Sequence, residues 1–165
     1  MSQPLHDHVL SAYDWTQTAL NTVFDAIPPE HFLYQPFSGA NHALWTMGHL
    51  ATVDQYFLKS LASRDGAIFD ANRDTFFAKS KPSPNASDYP TLEAVRDYFD
   101  TSRAEFRGWI DSLDEAKLAA PLPEKWREFA ASHAGMILRL VWHEGMHYGQ
   151  LTVIRKSLGL PPVRI

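Results

Sequence analysis

Residues 132–158 read SHAGMILRLVWHEGMHYGQLTVIRKSL, with Gly159 and Pro161-Pro162 directly after them. Met136, Leu140, Leu151, Ile154 and Leu158 recur at the spacing of one helix face. A glycine just past such a run, with proline beyond it, is a stop signal. His143 and His147 fall on the same stripe, four residues and one turn apart, and so point along the core side of the helix. Burying two imidazoles among apolar side chains costs free energy unless their nitrogens find partners. A shared metal ion is one such partner, because neutral imidazole binds zinc, nickel, copper and iron. Core histidines bonded to other side chains or to water are the alternative.

Three further segments carry the helical period. The first runs from about Leu5 to Ile27, with Leu10, Tyr13, Leu20, Phe24 and Ile27 on its stripe and Pro28-Pro29 at its end. The second runs from about Asn41, a candidate N-cap, to Ser63, with Leu44, Met47, Leu50, Phe57 and Leu61 facing inward. The third runs from about Thr91 to Leu113, with Thr91 as cap and Glu93 where the helix dipole favours an anion. The fourth is the segment quoted above, from about Ser132 to Leu158. No stretch alternates with period two over a useful length, so the expected class is all-α, a four-helix bundle.

The connections differ in kind. Arg64 to Pro90 is long, and Lys81-Pro82-Ser83-Pro84-Asn85 within it cannot be regular structure. A connection of this length could carry the chain along the bundle, letting the second and third helices run parallel. Asp70 to Lys79 could form a short helix inside it. Asp114 to Ala131 contains Pro121 and Pro123 and reads as loop.

Composition excludes several classes. A chain of 165 residues suits one domain, 1–165, and 45% apolar residues suffice for a sizeable core. The net charge of −4 comes without a basic stripe for nucleic acid or a polybasic segment for a membrane surface. There is no cysteine, so disulfides, thiolate metal sites and a cysteine nucleophile are excluded. Met1 to Leu10 lacks the basic and apolar regions of a signal peptide, and no apolar run spans a bilayer; the expected location is cytoplasmic. Asn85-Ala86-Ser87 matches a glycosylation acceptor but means little without a secretory route.

A third metal ligand must come from another helix, and His49 in Leu44-Trp45-Thr46-Met47-Gly48-His49-Leu50 is the best candidate. Gly48 beside it sacrifices helix stability and could let another helix, or a metal, approach closely. His6, His8, His31, His42 and His133 lie in termini, loops or helix starts. His143-Glu144-Gly145-Met146-His147 also matches the HExxH pattern of zinc proteases, where the glutamate is the general base. That mechanism usually needs a third ligand downstream, and no Asp, Glu or His follows His147. The default reading of Glu144, about 100° around the helix from His143, is a solvated or interface carboxylate.

At these residues the chain resembles the DinB-like metal-binding family. Leu44-Trp45-Thr46-Met47-Gly48-His49-Leu50 looks like the family's Trp-x-x-Gly-His-Leu segment, and His143 to Leu151 looks like its His-x-x-x-His-x-Gly-Gln segment. Ser112 to Leu118 is similar to the stretch after the family's third helix. The resemblance implies an up-down-down-up four-helix bundle and a metal site at His49, His143 and His147 with open positions for water or substrate. It also implies a homodimer in many members, and activities that include S-transferases and an isomerase using bacillithiol, mycothiol or glutathione.

The expected function is therefore a metal-dependent enzyme on a small molecule, a transferase or a hydrolase, with zinc or nickel ahead of iron or manganese. With no cysteine in the chain, any thiol arrives as a cosubstrate. The alternatives are a non-catalytic metal-binding stress-response module, a bundle without metal and, remotely, an HExxH zinc protease. Gln150 is a candidate donor beside the ligands, Trp45 and Trp142 read first as core packing, and Tyr148 and Asp54 as groups that could reach a substrate or orient a ligand. The loop from Arg64 to Pro90 is a candidate cover for the site mouth.

Overall fold

The structure is a computed structural model and describes residues 4–77 and 79–165. Four long helices dominate it: α1 (Leu5–Asp25), α2 (Ala43–Leu61), α4 (Leu92–Asp111) and α6 (His133–Ser157). Two short helices, α3 (Ala67–Phe76) and α5 (Glu115–Ala119), lie in the second and third connections. Among the described residues there is no strand, and the only extended pairing is an isolated bridge between Pro121 and Ser132.

Side-chain bonds give the direction of each helix. Arg107 of α4 pairs with Asp14 of α1 while Arg96 pairs with Asp25, so α1 and α4 run antiparallel. Tyr98 meets Thr52, and Arg103 meets Asp54, so α2 and α4 run parallel. Thr16 meets Glu144 and Arg155 meets the carbonyl of Ala26, so α1 and α6 run parallel too. The bundle is thus up-down-down-up, as the resemblance implied, with the long connection spanning its height.

The helix ends follow local chemistry. Thr91, Asp114 and Ser132 each cap the helix that follows with a side-chain oxygen. Gly159 takes the left-handed backbone, φ +71°, just past α6. At α2 the cap differs from expectation. His42, not Asn41, accepts from the Trp45 amide through Nδ1, because the Asn41 amide is engaged by Gln150 of α6. The short helix of the long connection starts three residues before the expected Asp70 and ends at Phe76. Helix α5 was not foreseen; Asp114 nucleates it with a bond to the Lys117 amide.

The core has two apolar parts. One gathers Leu20, Phe24, Met47, Leu50, Phe99 and Leu151, and the other Val9, Phe57, Leu58, Phe106, Ile110 and Leu140. Where the two parts meet, each long helix places polar side chains: half-buried Thr16 on α1, buried His49 and Asp54 on α2, Arg103 on α4, and Glu144 and His147 with half-buried His143 on α6. A polar layer therefore crosses the bundle at mid-height.

Candidate metal centre

His49 projects from α2 and His143 and His147 from α6, and their three Nε2 atoms converge. His143 Nε2 lies 3.3 Å from His49 Nε2 and 3.1 Å from His147 Nε2. One ligating nitrogen from each of the three lies within 4.8 Å of the others, so the three could hold a metal ion. Nitrogens about 2.0–2.1 Å from a shared ion sit about 2.9–3.4 Å apart in octahedral or tetrahedral arrangements, which brackets both distances.

Hydrogen bonds on the far side of the rings set the tautomers. His49 Nδ1–H donates to the carbonyl of Phe76 at 2.8 Å, an oxygen that can only accept. His147 Nδ1–H donates to Gln150 Oε1 at 3.0 Å, and Asn41 Nδ2 donates to the same oxygen. Both rings therefore turn an Nε2 lone pair inward. A proton on His143 Nε2 satisfies only one of them, and His143 Nδ1 is buried with no partner among the described residues. Convergent lone pairs with fixed tautomers are a donor set that could hold a metal ion. Burial, with the neighbouring imidazoles adding to it, lowers His49 to about 4 and His147 to about 3; burial also lowers His143. All three are neutral near pH 7, as metal ligands must be.

Gly48 explains how His49 gets its carbonyl partner. A Cβ at this position would lie 2.5 Å from ring carbons of Phe76. The glycine lets that ring seat against α2, which brings the Phe76 carbonyl over His49 Nδ1. The close approach anticipated at Gly48 is thus made by the end of α3. Trp45 Nε1 donates to Ser80 Oγ, and His42 Nε2 donates to the Ser83 carbonyl. His42, Trp45 and His49 together fasten the long connection along one face of α2. Trp45 also stacks on His49, with ring centroids 4.6 Å apart and planes at 9°.

Beside the triad lies a cavity of about 320 Å³. His49 and His143 line one part of it; Tyr56, Phe57, Phe77, Trp126, Phe129 and Trp142 supply most of the rest. The long connection contributes Phe77 to this wall, in keeping with its expected place near the site mouth.

Glu144 faces away from the triad. Its carboxylate accepts from Arg103 Nη1 at 2.6 Å and Nη2 at 3.1 Å, and from Thr16 Oγ1. Arg103 Nη1 also donates to Asp54 Oδ2 at 3.0 Å, and the guanidinium carbon sits 4.1 Å from the centre of the Tyr13 ring. Arg103, Asp54 and Glu144 are all buried. Burial alone would lower Arg103, but Asp54 and Glu144 overcome it and hold the guanidinium charged. Burial, partly opposed by Arg103, pushes Asp54 up to about 7. Glu144 is thus an interface carboxylate, not a solvated one, and it is bonded away from the position a protease base would need.

A profile of the DinB superfamily matches residues 12–151. The chain belongs to the DinB superfamily. Its bundle is similar to the crystal structure of a conserved protein from Enterococcus faecalis, with a TM-score of 0.68 and 16% identity, covering 94% of this chain and 98% of the other. At that identity the likeness shows the fold. No curated protein matches the chain.

The remaining sequence expectations for this DinB chain divide. Gln150 does sit beside the ligands, but as an acceptor rather than a donor. Trp45 packs in the core, whereas Trp142 is 67% exposed and edges the cavity. Asp54 is locked in the charged cluster instead of reaching a substrate, and Tyr148 packs half-buried against the core. Arg103 was missed. Its signal was its place on the α4 stripe between Phe99 and Phe106, where a charge demands buried partners.

Proposed function

We propose that this DinB protein is a metalloenzyme, with a divalent transition metal held by His49, His143 and His147 and a small-molecule substrate in the adjoining cavity. The observation that carries the reading is the pairing of the two: His49 and His143 converge on the same point as His147 and also line the cavity. A purely structural site would be closed on all sides. Bound there, a zinc or nickel ion supplies Lewis acidity that lowers the pKa of a thiol or water and provides a nucleophile near pH 7.

The chain's own residues do the rest. The Phe76 carbonyl and Gln150 fix the tautomers of two ligands, and the cavity beside them has a largely aromatic wall. No carboxylate joins the ligand group among the described residues, so the metal would keep its full positive charge. The reaction class we favour is transfer to a low-molecular-weight thiol cosubstrate. A sulfur–carbon bond forms at the electrophile, the bond to the leaving group breaks with its electron pair, and the thiol proton passes to solvent.

The test uses metal-free protein loaded with zinc or nickel and 1-chloro-2,4-dinitrobenzene as electrophile. Glutathione, bacillithiol and mycothiol serve as thiols. The expected result is turnover that follows metal content and is lost in His143→Ala. Stoichiometric metal without turnover for any thiol would favour the non-catalytic module. A homodimer belongs to the same proposal, supported by the apolar residues Leu138, Met146 and Val153 exposed on α6. Sedimentation of the wild type against Val153→Glu checks it.

A further inference from the structure

We infer that the cavity beside the triad binds a planar aromatic carboxylate, with its ring among the aromatic side chains and its acid group at Arg139. The catalytic meaning of this inference rests on the metalloenzyme reading, but the binding itself does not.

Size is the first argument. About 320 Å³ is at the small end of ligand pockets and gives room for a one- or two-ring molecule. The wall is the second. Tyr56 is its hub, with ring centroids 5.3 Å from Phe57, 4.9 Å from Phe77 and 5.6 Å from Trp126. Tilted and edge-on rings of this kind favour a flat apolar guest, which can offer both face and edge. A thiol cosubstrate carrying several charges would have to shed its hydration against that wall. Of the two partners in a thiol transfer, the cavity therefore suits the electrophile.

Besides the triad histidines, Tyr56 and Trp126, the lining holds one charged side chain, Arg139. Arg139 lines the cavity, its guanidinium stacked 4.0 Å from the centre of the Phe129 ring and Nη1 donating to the Phe129 carbonyl at 2.6 Å. The stack and that bond hold a planar fork in place at the cavity's edge, and such a fork matches a carboxylate. A guest with an anionic oxygen group meets that fork; a cationic or purely hydrocarbon guest does not.

The experiment titrates the full chain with 2-naphthoate and, separately, with neutral 2-naphthalenemethanol. Each is run on metal-free and zinc-loaded protein, by calorimetry and by quenching of tryptophan fluorescence. We expect saturable 2-naphthoate binding without metal. Arg139→Gln should weaken it at least fivefold while leaving 2-naphthalenemethanol unchanged, and Trp142→Ala, a substitution at an exposed site, should weaken both probes. Absence of saturable 2-naphthoate binding to either form would overturn the inference, as would binding indifferent to both substitutions. Binding that requires zinc and ignores Arg139→Gln would put the acid on the metal and remove Arg139 from the site. Zinc content measured on the same samples separates the two readings. Probe binding without zinc uptake leaves the cavity and removes the metalloenzyme; zinc uptake without probe binding does the reverse.

Discussion

Gly48 and the carbonyl of Phe76 stand behind the triad, and their role can be tested apart from the ligands. In Gly48→Ala the added Cβ would collide with a buried aromatic ring in the core, which has little room to swing. Phe76 must shift, and its carbonyl with it, so His49 loses the bond that fixes its tautomer. We expect zinc affinity to fall about tenfold or more, measured by competition with a chromophoric chelator. The result is informative because alanine is the better helix former and by propensity alone should stabilise α2. Unchanged zinc affinity would mean that His49 does not need its outer partner. At this scale the sequence was legible where a residue's own type and spacing carried the message, as with the pair His143 and His147, which then singled out His49 as the third histidine brought beside them. It was not legible where the partner came from afar: nothing in the residues around Gly48 points to a phenylalanine 28 positions downstream. The α2 cap failed for the same reason. Asn41 is the better capping type, but its amide goes to Gln150 across the bundle.

The four long helices were readable from their stripes and caps because burying one face is what makes such helices stable. Their mutual fastening was less readable, since it depends on one charged residue in an otherwise apolar stripe. Arg103 of α4 holds Asp54 of α2 and Glu144 of α6, and packs on Tyr13 of α1. Removing it leaves two carboxyl groups buried without a cation. We expect Arg103→Met to lose about 3–5 kcal/mol in urea denaturation at pH 7. Asp54→Asn, which imitates the protonated form that burial already favours, should lose about 1 kcal/mol or less. Equal losses from the two would contradict the reading that burial raises Asp54.

For the whole molecule, the buried histidines link stability to pH. In metal-free protein His49 and His147 titrate at about 4 and about 3, against 6.5 when exposed. Between those values the unfolded chain binds more protons, so stability should fall as pH drops from 6.5 through about 4 and 3. Asp54 works with the opposite sign between about 7 and 3.8, and partly offsets the fall. The check is the urea midpoint in EDTA across this range, with His147→Gln expected to flatten the slope. The direction of the helices has a consequence of another kind. Because α1 and α6 run side by side in the same sense, the start of one and the finish of the other are separated by the length of α1, about 30 Å. A circular permutant opened in the long connection must bridge that gap, which takes at least about nine extended residues. A joint of about three residues in place of residues 158–165 and 1–4 should abolish folding, and one of about twelve should restore it. On the metal reading proposed above, the rescued permutant should take up zinc as the wild type does, since its triad would be assembled by α2 and α6 from a rearranged chain order.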